Sequence, residues 1–480
     1  MQRRQTAREM FVLVLLTAAA LLIQGYHAGV EDQAIYLPAI KKNLDPTLYP
    51  HDAAFFLNQA GPTLFDELIS ETVRWAHLPV EIALFAWHVL SIFLLLLASR
   101  QLSRRIFSDP VAQWAAVTMT AVMLALPVAG TLLRITAEYL HPRNLATAAL
   151  LFALVAVLDR KATALAWLAV SAVLHPQMAV FGAFHLAVQA WRVPASGQAL
   201  AALSFPRAFL QAGDAWRAVL ETRTHHFPLR WKWYEQAGAI APLVLLAWFA
   251  HMGKRAGNGV LAHVSGRMAL SGGLGVAGAV AITLIPGQER LIRAQSMRSL
   301  HLVYLLLVLV GGGLLGQFVL RNRLRWILLF VPLAAAMFCG QMRLYPSSAH
   351  VEWPGAAPTT AWTQAFDWIR QNTPQDALFA LDPRYMERPG EDFHGFRALA
   401  ERSMLADYTK DRGVAALFPE LAETWREQMQ VRGNWSQLTA GDFRRLKERF
   451  GVAWVVLERP GVPGLACPYV NEAVMVCRVE

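Results

Sequence analysis

Three things are scarce in this 480-residue chain: cysteine, charge, and ionisable residues inside its apolar stretches. Only Cys339, Cys467 and Cys477 occur, none in a Cys-x-x-Cys pair, which excludes a metal cluster of that type. Charged residues make up 16% of the chain against 55% hydrophobic, and mean hydropathy is +0.33, which excludes an ordinary water-soluble fold. The apolar runs hold almost no ionisable residue and no repeat relates two halves, which weakens a transporter reading. No small-x-small cleavage site follows the run Met10 to Gly25, so the helix after "MQRRQTAR" is expected to be retained rather than removed as a signal peptide.

What is present is a series of apolar runs. Beyond the first they are Val80 to Ala98, Val111 to Leu133, Leu145 to Leu158, Ala162 to Trp191, Ala239 to Met252, Val264 to Ile285, His301 to Leu320 and Trp326 to Gln341. A span needs roughly 18 to 20 apolar residues, because a backbone in lipid must satisfy its own polar groups. The run Ala162 to Trp191 is too long for one straight crossing and breaks at His175-Pro176, so it crosses once, bent, or twice. The expected fold is therefore a mainly α polytopic membrane protein of about 9–11 transmembrane helices. Lys and Arg cluster in "SRQLSRR", "DRK", "HMGKR" and "RNRLR", which share one side if the N-terminus is cytoplasmic and the long run makes one net crossing. The C-terminal tail then lies outside.

The same topology places Glu31 and Asp32 at the outer mouth of the first helix, followed by a long loop. That loop, residues 28–78, has roughly helical apolar spacing punctuated by Pro38, Pro46, Pro50 and Pro62, and is expected to lie on the membrane as short amphipathic helices. It is grouped with a membrane domain covering 1–344. From about Tyr345 the composition changes, and residues 345–480 read as an extracytoplasmic α/β domain. There "TQAFDWIRQNTPQDALFALD" and "DFRRLKERFGVAWVVLERP" each read as a helix, a turn and a strand, with Gly451 ending the second helix. Cys467 and Cys477 flank "PYVNEAVMV" and either pair across a hairpin or stay as thiols; Cys339 reads as ordinary packing.

Several residues carry possible chemistry. Glu31 and Asp32 are adjacent carboxylates, whose repulsion disfavours full ionisation of both, or else plain solvated and capping residues at a lipid boundary. Arg134 and Arg143 in "RITAEYLHPR", with Arg290, Arg293 and Arg298 in "GQERLIRAQSMRSLH", are more arginines than an outer face usually carries. Guanidinium forks match phosphate oxygens, so an anionic lipid headgroup suits them; snorkelling, pairing with Glu138 and Glu289, or inverted local topology are the plainer accounts. "ETRTHHFPLRWKWYEQ" brings His225, His226, Arg230, Lys232, Trp231, Trp233 and Tyr234 to the membrane surface, as an aromatic belt or a sugar platform. His141 joins the candidates, whereas His175 and His51, each near a proline, suit hydrogen-bonded structure better than metal ligation. The net charge of +10, from 44 basic minus 34 acidic residues, concentrates near the membrane, which points to anionic lipid and away from nucleic acid.

The acidic pair after the first helix, the long first loop, the many helices and the C-terminal α/β region together resemble the GT-C superfamily of polyprenyl-phosphate-sugar-dependent glycosyltransferases. "VEDQAIYLPAI", "ITAEYLHPRNLATAALLFAL", "LHPQMAV" and "WIRQNTPQDALF" with "FRALAERSMLADYTK" are similar to a group of bacterial membrane proteins sharing this layout. The resemblance implies an inner-membrane enzyme that moves a sugar from a polyprenyl phosphate to a lipid or extracytoplasmic acceptor. It assigns the base or acceptor-positioning role to Asp32 first and Glu31 second, although Gln33 interrupts any longer acidic pattern. Some members use a divalent metal ion, but no ligand set in this sequence demands one. A non-catalytic membrane protein that keeps the same frame for binding or assembly is the alternative from another class.

Overall fold

The computed structural model describes residues 2–191, 213–285 and 289–480, and the chain divides into two compact units. A helical unit comprises Met1–Gln24, Trp87–Gly213 and Arg223–Gln341; a mixed unit comprises Gly25–Ala86, Asp214–Thr222 and Met342–Glu480.

Among the described residues, six helices are long and apolar enough to cross a bilayer: Thr6–Gln24, Val80–Ile106, Trp233–Arg255, Gly259–Leu284, Ser296–Phe318 and Arg323–Leu344. They mark a multi-pass membrane protein. The other three expected runs fold differently. Val111 to Leu133 is helical only over Pro110–Val122. The chain then forms a two-stranded hairpin, β1 (Pro127–Val128) against β2 (Leu133–Arg134), because Pro127 cannot continue a helix and Ala129 and Leu132 take positive φ at the turn. Leu145 to Leu158 lies in a 17-residue helix, Pro142–Leu158. Ala162 to Trp191 is two helices, Thr163–Leu174 and Pro176–Ala190, divided at the expected proline. Close helix contact comes from small residues: a Cβ on Gly312 would stand 2.4 Å from Met119 Cβ, and one on Gly316 2.6 Å from Ala115 Cβ.

The mixed unit is built on a five-stranded sheet of β3 (Leu378–Ala380), β4 (Ser403–Met404), β5 (Trp454–Glu458), β6 (Ala466–Val470) and β7 (Val474–Arg478), in the order β4-β3-β5-β7-β6. β3 pairs in parallel with β4 and β5, and β7 runs antiparallel to β5 and β6. Alternation along β5 sorts the core: Trp454 and Val456 join Phe366, Phe379 and Phe396 on one face, while Val455 and Leu457 join Phe443 and Leu446 on the other. Capping boxes at Thr360 and Thr439 start the helices Ala361–Asn372 and Ala440–Phe450, and Gly451 at φ +80° stops the second. Cys467 and Cys477 are joined as a disulfide between β6 and β7.

The first long loop belongs to this unit and not to the helical one. Its helix Gln33–Leu44 does not lie as an amphipathic surface element: Gln33 through Lys41 are all buried. A Cβ on Gly395 would stand 2.5 Å from Ala34 Cβ, Lys41 Nζ donates to Ala398 O at 2.9 Å, and Tyr49 Oη donates to Arg397 O at 2.9 Å. Of the prolines in the loop, Pro38 is buried inside this helix, whereas Pro46, Pro50 and Pro62 are exposed.

Candidate functional site

The helical unit gathers most of the sequence-selected polar residues into one buried cluster. Two helices in it begin alike, Leu140-His141-Pro142-Arg143 and Leu174-His175-Pro176-Gln177. In each, proline occupies the first helical turn, where its missing N–H costs nothing, and the histidine caps the end. His141 Nδ1 accepts the Arg143 N–H at 2.9 Å, and His175 Nδ1 accepts the Met178 N–H at 3.4 Å. The two imidazoles stack with centroids 5.8 Å apart, so two helix N-termini with their positive dipole ends converge.

Cations surround that point. Arg143 and Arg298 both lie within electrostatic reach of His175 and of His301. Gln177, at the position in its motif equivalent to Arg143, accepts from Arg298 Nη1 at 3.2 Å. The irregular segment after β2 supplies the opposite wall: His301 Nε2 bonds Ile135 O at 2.8 Å, and Asn144 Oδ1 accepts the Ala137 N–H at 3.2 Å. Thr136 Oγ1 donates to Gln24 Oε1 at 2.9 Å, tying the segment to the first helix. Arg134 pairs with the fully buried Glu138, which in turn faces His88.

Arg143 is different from its neighbours. It is 4% exposed, and among the described residues its guanidinium has no hydrogen-bond or ion-pair partner. A buried, unpaired cation costs several kcal/mol, on the order of a lost buried ion pair, unless something negative meets it. His226, beside Arg298, is also buried, and that burial, with Arg223 and Arg298 next to it, holds its imidazole down at about 2. A cavity of about 10 Å³, enough for a water, lies between His226 and Arg298.

The remaining selections scatter. Arg293 is exposed, and the side chain of Arg290 lies outside the described residues. Trp231 is not a surface platform: it is 6% exposed, packs over Gly130, whose Cβ would stand 2.6 Å from its ring, and donates Nε1–H to His225 O at 3.2 Å. Trp233 and Tyr234 do face outward. His51 Nε2 meets Asp376 O at 2.9 Å, a structural bond in the mixed unit. Among the described residues no three His, Cys, Asp or Glu side chains gather as a metal site.

Glu31 and Asp32 belong to the mixed unit, where Lys410 takes both: its Nζ bonds Glu31 and lies 3.1 Å from Asp32 Oδ1. Burial alone would depress the Lys410 ammonium, but Asp32 and Glu31 outweigh it and shift it upward. The expected mutual repulsion of the carboxylates is therefore offset by a cation that sequence spacing, 378 residues away, does not reveal. Glu31 holds φ +50°, uncommon outside glycine, so the backbone itself is strained to present the pair.

Lys410 was missed, as were His88 and His301, although a histidine inside a spanning helix is by itself a signal of function. No curated protein matches the chain. Residues 360–430, which include Glu391, His394, Arg397, Asp407, Lys410 and Asp411, match a domain of unknown function, DUF6798.

Proposed function

We propose that the helical unit holds the phosphate of a lipid carrier and that the protein is a GT-C-type glycosyltransferase using a polyprenyl-phosphate sugar. One observation carries the reading: Arg143, buried and without a side-chain partner among the described residues, sits where two His-Pro helix N-termini converge, in a chain whose described residues include six helices long and apolar enough to span a membrane. Helix N-termini and guanidinium forks both favour phosphate oxygens, and an apolar surround selects a phosphate that arrives on lipid. Arg298, held by Gln177, is the second donor to that group.

In the reaction, an acceptor hydroxyl attacks the anomeric carbon, the bond from that carbon to the phosphate oxygen breaks, and the proton passes to a carboxylate. Asp32, with Glu31 as second choice, takes that proton, and Lys410 orients the pair. An extracytoplasmic mixed unit agrees with its disulfide, which persists in oxidising compartments such as that outside a bacterial inner membrane. The second reading, a non-catalytic binding or assembly protein, is favoured by the same Lys410, which leaves both carboxylates engaged.

The test is binding of undecaprenyl phosphate to purified protein in nanodiscs, followed by sugar transfer from the loaded carrier. Wild type should bind saturably and Arg143→Met should not; Asp32→Asn should bind but not turn over. Undiminished binding by Arg143→Met sinks the phosphate site, and unchanged turnover by Asp32→Asn sinks the base. Binding without turnover by wild type selects the second reading.

A further inference from the structure

The mixed unit contains a cleft of about 590 Å³, lined among others by Tyr26, Glu81, Glu352, Trp353 and His394. Its volume is that of a small-molecule site. Glu352 is its chemical centre. Oε1 lies 3.3 Å from His27 Nδ1 and 3.1 Å from His394 Nε2, and Oε2 accepts the Ala28 N–H at 2.9 Å. Three partners fix the carboxylate, yet 20% of its side chain remains exposed, so a lone pair of Oε2 stays available. Burial pushes the Glu352 carboxyl up, but the two histidines outweigh it and hold it down at about 2. Such a group is an acceptor of hydrogen bonds and a poor acceptor of protons.

Beside it stands Trp353, 55% exposed, with its ring held 5.4 Å from Phe85, which lies 5.1 Å from Tyr26. The loop that follows, Pro354 to Pro358, is stiffened at both ends by proline, so the wall is preformed. The cations that line the cleft are already engaged: Lys41 with Glu401 at 2.6 Å, and Arg370 with Asp367 at 2.6 Å. An anion therefore finds no open partner in them. A fixed acceptor next to an open indole face fits hydroxyl groups and the apolar face of a pyranose ring.

We propose that this cleft binds a saccharide, with Trp353 as stacking platform and Glu352 as hydroxyl acceptor. The assignment deepens the glycosyltransferase reading and rests on it only in making that saccharide the acceptor of transfer. His27 and His394 are positioning residues, acting through Glu352.

Saturation-transfer NMR on the full chain in nanodiscs tests it, with methyl glycosides of glucose, galactose, mannose and N-acetylglucosamine, with maltose and cellobiose, and with ethanolamine as the competing cation. At least one glycoside should give a saturable signal, weakened tenfold or more in Trp353→Ala at an unchanged melting temperature. Glu352→Gln should weaken it as well; because Glu352 also holds His27, Ala28 and His394, the exposed Trp353 is the decisive position. No glycoside signal, a response to ethanolamine alone, or full affinity in Trp353→Ala overturns the site. Glycoside binding by a protein that ignores undecaprenyl phosphate keeps the cleft assignment and sinks the lipid-phosphate reading, and the reverse result does the opposite.

Discussion

Two arginines, one in each unit, are buried to the same depth and do opposite things. Arg397 in the mixed unit is 3% exposed and fully engaged: Nε meets Asp52 at 2.5 Å, and the two terminal nitrogens meet Asp411 at 3.0 and 2.9 Å. Burial alone would depress its guanidinium, but Asp411 and Asp52 reverse the shift and raise it. Arg143 in the helical unit is 4% exposed and meets no acceptor among the described residues. A buried cation that is bonded on every side holds a fold together; one that is bonded on none is kept for something that arrives.

The largest effect should come from breaking the engaged one. Arg397→Met strands Asp52 and Asp411 as buried carboxylates, which costs about 3–5 kcal/mol. Thermal unfolding followed in the mixed unit should show a drop of several degrees or failure to fold. Arg143→Met should do the reverse: the melting temperature holds or rises, because an unpaired charge has gone, while undecaprenyl-phosphate affinity falls by roughly 100-fold, about the 2.7 kcal/mol of one or two charged hydrogen bonds. Equal thermal losses in the two variants would erase the distinction. The disulfide sharpens it further, since it is another closed interaction of the mixed unit. With its cysteines 10 positions apart in sequence, replacing both Cys467 and Cys477 by alanine should cost about 2–3 kcal/mol and leave lipid-phosphate binding untouched.

How much of this was legible in the sequence follows from the range of each signal. The spans at Val80–Ile106 and Ser296–Phe318 announce themselves by length and hydropathy, and the helix-turn-strand around Gly451 by local chemistry. Arg134, Glu138, His141, Arg143, His175, His226 and Arg298 could be selected one by one, because each is a polar residue set against an apolar run. Their convergence could not, since it depends on how helices starting at Pro142 and Pro176 meet. The repeated Leu-His-Pro was the available clue: two identical helix starts, each followed by a hydrogen-bonding side chain, invite the thought that they face one target. The reach of Lys410 back to Glu31 and Asp32, and the capture of residues 25–86 by the α/β core, are tertiary pairings across more than 300 residues, and no periodicity encodes them.

A pH-dependent effect, near zero at about pH 4, tests whether the mixed unit's network is as closed as Arg397 suggests, and Glu391 is the exception within it. The residue is fully buried, the backbone N–H groups of His394 and Phe393 approach its carboxyl without closing a well-formed hydrogen bond, and burial pushes that carboxyl well above the ordinary value of 4.5. The charged groups that face it are His394, 3.8 Å away through Nδ1, Asp392 and Glu352. A carboxyl raised on folding contributes its stability below the unfolded value and loses it as pH climbs toward the folded one, at about 1.4 kcal/mol per pH unit. Glu391→Gln keeps the shape and removes only the ionisation. Wild type and variant should therefore melt together near pH 4 and separate as pH rises, with the variant the more stable. Glu352 runs the other way: held down at about 2, its contribution is present above 4.5 and disappears as pH falls toward 2, so acid destabilises both proteins alike. Parallel melting curves from pH 4 to pH 8 would mean that Glu391 finds a partner, and that the mixed unit is as fully paired as Arg397 implies.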